Sequence, residues 1–214
     1  MQWRCRARGY GEAVTVRAVV LPGTPLLVPG AAGRALVLAA VRDEALSALR
    51  ALLAGSDDVL VVAPAPPGAP GAHGRARASL AAFGVADAWI DPVWARAAGP
   101  ADLPTSGPAA SVGVLALAGA GRAAPVEVVE IAATTPTARC REVGLEAARR
   151  GAGLVLVQDP RSAVGDAVLD GFVDPRWTVR SSVSTGPRGG LAYEVRSYAE
   201  ATSTRSVGPD DLGR

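Results

Sequence analysis

The chain has 214 residues, 49% of them hydrophobic and only 4% aromatic, with a formal net charge of +2. That length suits one domain with a real core, packed mostly from Ala, Val and Leu. Its scattered arginines exclude the one-sided basic face of a nucleic-acid binder, and no apolar stretch reaches the ~20 residues that a bilayer span requires.

Apart from His73, every basic residue is Arg, and there is no Lys or Asn, a usage that GC-rich coding explains. Arg4, Arg6 and Arg8 make the only local basic run. The first residues lack the continuous apolar segment of a signal peptide, so a cytoplasmic protein is expected. Residues 1–13 read as an extension, 14–200 as the domain and 201–214 as a flexible polar tail.

Val14–Leu21 is Val-rich and loosely alternating, as a central strand should be. After a Pro22–Gly33 loop, the spacing predicts a helix from about Ala35 to Ala54. Its apolar stripe is Leu38, Val41, Ala45, Leu49 and Leu52, with Asp43, Glu44, Ser47 and Arg50 off that line. Gly55 stands where a C-terminal cap is wanted. Asp58–Ala63 is a short apolar run and a second strand. Strand, helix and strand in that order predict a parallel sheet covered on both faces.

Pro64–Gly74, rich in Pro and Gly, reads as loop throughout. Arg77–Phe83 reads as a short helix and Val85–Ile90 as an extended piece. Ala109–Ala118 suits a buried helix, with a strand left open by its Ser111–Val114 centre. Val126–Ala132 is a third clear strand. Thr135-Pro136 then starts a helix with Pro at its first position, and Arg149, Arg150 and Gly151 suit its end. Gly153–Gln158 is the fourth strand. Thr178–Val183 and Leu191–Tyr198 read as a final antiparallel pair or edge. The predicted fold is a single three-layer α/β/α domain with a mainly parallel central sheet.

Side chains able to do chemistry are few. Cys5 and Cys140 are too sparse for a disulfide framework. Cys140, Val143, Gly144 and Ala147 share one helical stripe, so Cys140 is expected as a buried thiol, with Arg139 and Arg141 turned elsewhere. Asp91, Asp159, Asp166 and Asp170 are either hard ligands for Mg²⁺ or Ca²⁺ or plain turn and surface residues. Gly119-Ala120-Gly121 lacks the strand and helix of a phosphate cradle. Ser181, Ser182, Ser184 and Thr185 lack a nearby His and a nucleophile elbow. Trp89 and Trp94 either line a pocket or anchor a loop on the core.

Ala18–Pro29, an apolar strand running through Pro22-Gly23-Thr24-Pro25 into Leu26-Leu27-Val28-Pro29, resembles the opening of the class III extradiol ring-cleavage dioxygenase subunit-B superfamily, in its actinobacterial branch. Further stretches resemble that branch in the same order. They are Leu80–Val85, Leu103-Pro104 with Val112-Gly113 and Gly119, Pro125–Glu130, Cys140 with Gly144, Leu154–Asp159, and Gly190–Val195. The resemblance implies an α/β fold and an iron-dependent ring-opening site.

The departures matter equally. Where the branch carries its first iron-ligand histidine this chain has Gly23, and where the second follows the second strand it has Ala63-Pro64-Ala65-Pro66. His73, the only histidine, lies further along and either reaches the old metal pocket or is a solvated surface residue. Two imidazoles and a carboxylate are needed for such iron. A degenerate, metal-free binding or interaction module is therefore expected, with no cofactor, although the family would imply Fe²⁺. An enzyme using carboxylates or His73, and a structural subunit, are the alternatives. Pocket residues expected are Gly23, Thr24, Pro64, Pro66, His73 and Asp159, with the Gly23 and Ala63–Pro66 turns side by side in one crevice. The partner would be a small molecule or a protein, with homo-oligomers allowed and neither nucleic acid nor membrane involved.

Overall fold

The computed structural model describes residues 13–35, 37–95, 100–122, 125–159, 162, 164–185 and 191–202. Cys5, the basic run at Arg4–Arg8 and the tail beyond Thr202 lie outside them. The strands are β1 (Ala13–Pro22), β2 (Val59–Pro64), β3 (Ala72–Arg75), β4 (Glu127–Ile131), β5 (Gly153–Gln158), β6 (Thr178–Thr185) and β7 (Ala192–Thr202). The helices are α1 (Ala39–Gly55), the short α2 (Pro92–Ala95), α3 (Pro108–Gly119), α4 (Thr137–Arg149) and α5 (Val164–Phe172). All seven strands form one mixed sheet in the order β3-β4-β2-β5-β1-β7-β6. The four strands read from the sequence make its parallel centre, β4-β2-β5-β1, and antiparallel strands flank it. This is an α/β fold, and none of its described helices is long and apolar enough to cross a membrane.

Strand geometry explains why the central runs are apolar without a break. Successive side chains point to opposite faces, and here both faces are buried. Val19, Leu21, Val61, Val155 and Val157 pack with α1 and α3. Ala18, Val20, Leu60, Val62, Leu154 and Leu156 pack with Cys140 and Ala147 of α4 and Val168 and Phe172 of α5. The predicted stripe of α1 is the buried one, down to Leu38. The helix nevertheless starts at Ala39 rather than Ala35, because Leu38 takes a left-handed conformation (φ 57°) and turns the chain into it. Gly55 is the last helical residue and not a left-handed cap. What it supplies is room, since a Cβ there would lie 2.5 Å from Thr15 Cγ2.

The strand reading left open for Ala109–Ala118 is not realised. The segment is α3, buried from Ala110 to Ala118. Its apolar character all round follows from that burial. Gly113 brings it close to the sheet: a Cβ there would sit 2.7 Å from Val157 Cγ2 and 3.0 Å from Val61 Cγ1. On the opposite side α4 and α5 cross at backbone contact. A Cβ on Gly144 would overlap the Val168 carbonyl oxygen, and one on Gly171 the Arg141 carbonyl oxygen.

Four local expectations are corrected. Ala72–Gly74, the end of the segment read as loop, belongs to the edge strand β3, held antiparallel on β4 by main-chain pairing that Gly and His permit. Of Arg77–Phe83 only Ala81–Phe83 is helical, a single 3₁₀ turn closed by Gly84 at φ +76°. Val85–Ile90 is not extended, because Asp87–Trp89 forms a 3₁₀ turn whose Asp87 accepts a 3.0 Å hydrogen bond from Ser79 Oγ. Pro136 caps α4 from an extended conformation instead of occupying its first turn. The sheet also reaches past the expected limits, since Ala13 pairs with Thr202 and Val14 with Ala201.

The glycine crossing gives a direct test. Gly144→Ala should lower stability by about 3 kcal/mol, because a methyl group driven into backbone has no rotamer to escape through. Urea unfolding of the two proteins measures it, and an unchanged midpoint would refute the contact.

Candidate functional site

The six residues singled out by the sequence fall in three separate places. Gly23 and Asp159 follow the adjacent strands β1 and β5. The Gly23 N–H donates to the Gln158 carbonyl at 2.9 Å, and a Cβ at 23 would lie 3.1 Å from that same oxygen. Thr24 caps the 3₁₀ turn Pro25–Leu27, its Oγ1 accepting from the Leu26 N–H at 3.3 Å. The loop behind it is fastened by Arg42, whose guanidinium donates to the carbonyls of Leu27, Leu26 and Val37 at 2.7, 3.3 and 3.0 Å. Burial lowers the pKa of Arg42 from its ordinary value.

Pro64 ends β2 opposite Ile131, and Pro66 stands where a Cβ on Gly107, at the head of α3, would come within 2.9 Å of its ring. His73 is on β3 opposite Val129, at the sheet border. The Gly23 and Ala63–Pro66 turns follow strands that are not neighbours, because β5 lies between β1 and β2. His73 is further still, beyond β4.

What His73 joins is a charged cluster. Its Nε2 bonds Glu127 Oε1. Arg150 donates to both Glu127 oxygens, at 3.1 and 2.8 Å, and to Asp58 at 2.9 Å. The bidentate arginine first, and His73 second, hold the Glu127 carboxyl down to about 2. A carboxylate held that low is a poor base at neutral pH. Its value is structural: it ties β3, β4 and the end of α4 together.

This cluster closes one end of a cavity of about 370 Å³ between α4 and the β4–β3 edge. Leu60, Val129, Ile131 and Val143 give it an apolar floor, and Thr135, Arg139 and Glu146 a polar rim. Arg139 pairs with Glu142 at 2.7 Å across the outside of the helix. A volume of this order with a few polar groups is that of a small-ligand site.

The other face of β4 holds a second carboxylate. Glu130, 9% exposed, accepts the Gly107 N–H at 2.5 Å ahead of α3. Burial raises its pKa, and the Gly107 bond offsets part of that. Neither Glu127, Glu130 nor Asp58 was singled out from the sequence. The signal was there, since two acids inside the Val-rich run Glu127-Val128-Val129-Glu130 need partners on opposite faces. Arg150, read only as a complement to the helix dipole, is the partner of one of them.

The remaining side chains divide plainly. Cys140 is buried and free, its thiol pKa raised by burial. Arg139 and Arg141 do turn away, the latter to Asp170 at 3.1 Å. Asp91 accepts the Val93 N–H at 2.8 Å and so acts as a turn former, while Asp166 and Asp170 are exposed on α5. Trp94 is buried against Gly119, whereas Trp89 is 65% exposed. Ser181 donates to Glu194 at 2.7 Å.

Among the described residues no three His, Cys, Asp or Glu side chains converge as metal ligands. Gly23 offers no donor, the Ala63–Pro66 turn no imidazole, and His73 is committed to Glu127. These residues do not fit a two-histidine iron site. No protein-family model and no curated protein matches this sequence.

The two acids predict opposite pH behaviour. Glu127 has a folded pKa below its ordinary 4.5, so its stabilisation is present above about pH 4.5 and lost as pH falls toward about 2. Glu127→Gln should cost about 1 kcal/mol at pH 7, half-exposed pairs being screened, and nothing near pH 2. Glu130 has a folded pKa raised above its ordinary 4.5, so its cost sets in as pH rises above about 4.5 and is complete above the folded value. Glu130→Gln should raise the melting temperature at pH 8, with the gain shrinking toward pH 4. Thermal unfolding across pH checks both.

Proposed function

We propose that the chain is a degenerate, metal-free relative of the extradiol dioxygenase subunit-B superfamily, working in the cytoplasm as a small-molecule binding module. The observation that carries this reading is Gly23. It stands where the resemblance places an iron ligand, and a Cβ there would make a tight 3.1 Å contact with the Gln158 carbonyl oxygen of β5. The groove between α4 and the β4–β3 edge is the ligand site in this reading. Its apolar floor flanked by Arg139 and Thr135 suits a small amphipathic molecule such as an aromatic acid.

A second reading draws on one observation. The His73–Glu127 pair closes one end of the same groove, and a carboxylate-oriented imidazole is the usual form of a general base. An enzyme working in this groove would use it.

Metal analysis of the purified protein should find no stoichiometric iron, and catechols should cause no oxygen uptake. One iron per chain with ring cleavage would overturn the reading. Titration with benzoate, followed by amide NMR, should move Val129 and Val143 and leave Gly23 unmoved; shifts confined elsewhere would remove the groove from the proposal. Val143→Arg should abolish those shifts without unfolding the chain.

A further inference from the structure

We propose that the free edge of β6 is a self-association surface, on which β6 of a second copy of this chain adds antiparallel across a two-fold axis at Ser181. β6 is the last strand of the sheet. Among the described residues it pairs with β7 alone, over Thr178–Thr185 and without a register shift. Its outer side is therefore a row of main-chain donors and acceptors, which is a template for another strand.

The opposite border shows how this fold guards an edge. β3 is four residues long, contains Gly74 at φ +143°, and carries His73 and Arg75. β6 is twice that length and has no Pro, Gly or bulge. Arg180 is its only charge. Val179 and Val183, 55% and 61% exposed, stand on one face with Ser181 between them. An uncovered β-branched edge of this kind is what folds usually avoid.

The residue pattern selects a second copy as the occupant. In antiparallel pairing, directly opposed residues share a face and touch. With the axis at Ser181, Val179 meets Val183 of the second copy and Arg180 meets Ser182 of the second copy. Both apolar pairs close, and no like charges oppose. Moving the axis one residue to Arg180 would set two guanidinium groups against each other. Moving it to Ser182 would leave each Val183 against a serine. The strand is thus complementary to itself in one register. Added this way, the two seven-stranded sheets become one continuous sheet, and each copy keeps its groove at the far border.

Sedimentation equilibrium of the full chain, from low micromolar to near-millimolar concentration, tests this directly. The wild type should show a reversible monomer–dimer equilibrium. V179K/V183K places like charges in both pairs and should weaken association about tenfold or more. V179E/V183K places opposite charges in the same pairs and should restore it. Circular dichroism should show both variants folded, since these side chains already face solvent. Hydrogen exchange should show β6 amides gaining protection as concentration rises. A wild type that stays monomeric at every concentration would overturn the proposal. So would equal association of the two variants, which would put the contact elsewhere. Concentration-independent protection of β6 would also overturn it, assigning the edge to another segment of the same chain.

Discussion

Everything in this molecule depends on β5 lying between β1 and β2. It is the fourth parallel strand in the chain and the one that joins the first two, pairing with β1 on one side and β2 on the other. A strand in that position has no exposed face, and Ala152 to Val157 are accordingly all buried. Helices must then approach the sheet closely on both sides. Gly113 of α3 and Gly165 of α5 permit this, the first against Val157 and Val61, the second against Leu156. The low aromatic content has the same origin, because thick side chains would hold the layers apart.

That placement also decides what can happen at the strand ends. β1 and β2 are two sheet spacings apart, about 10 Å, and the last residue of β5 fills the interval with a main-chain bond to Gly23. The Gly23 and Ala63–Pro66 turns are thus separated by a strand, and neither carries an imidazole. Polar chemistry gathers instead at the β4 border. Glu127 and Glu130 are three residues apart in one strand and therefore face opposite sides. On one side a bidentate arginine keeps the carboxylate ionised. On the other, burial against α3 favours the proton. Strand alternation thus gives one short peptide two different electrostatic fates.

The central fold was legible because it is written in local pattern. Four apolar runs, one well-formed stripe in α1 and the Cys140–Ala147 stripe in α4 all lie where the residues indicated. The strand order was not legible, since nothing local in Gly153–Gln158 says which two neighbours it will separate. β3 was missed because Ala72-His73-Gly74-Arg75 has no strand character of its own and is recruited by β4. The charged cluster was missed for the same reason. Asp58, His73, Glu127 and Arg150 are far apart in sequence, and only the topology makes them neighbours. Leu38 shows a different limit: its periodicity was right, but its left-handed backbone could not be read from composition.

The pairing of β1 carries a consequence for synthesis. Its two neighbours in the sheet are β5 and β7, whose partner residues begin at Leu154 and Arg196. A ribosome adding about 5–20 residues per second makes β1 early and then needs on the order of ten seconds to reach the first of them. During that interval Ala18–Leu21, an apolar tetrapeptide later buried on all sides, has no strand to dock on. Helix α1 is the one early element that packs against it, through contacts such as Gly55 with Thr15. A nascent α1–β1 pair would shield only the face that carries Val19 and Leu21, and Ala18 and Val20 would wait for α4 and α5.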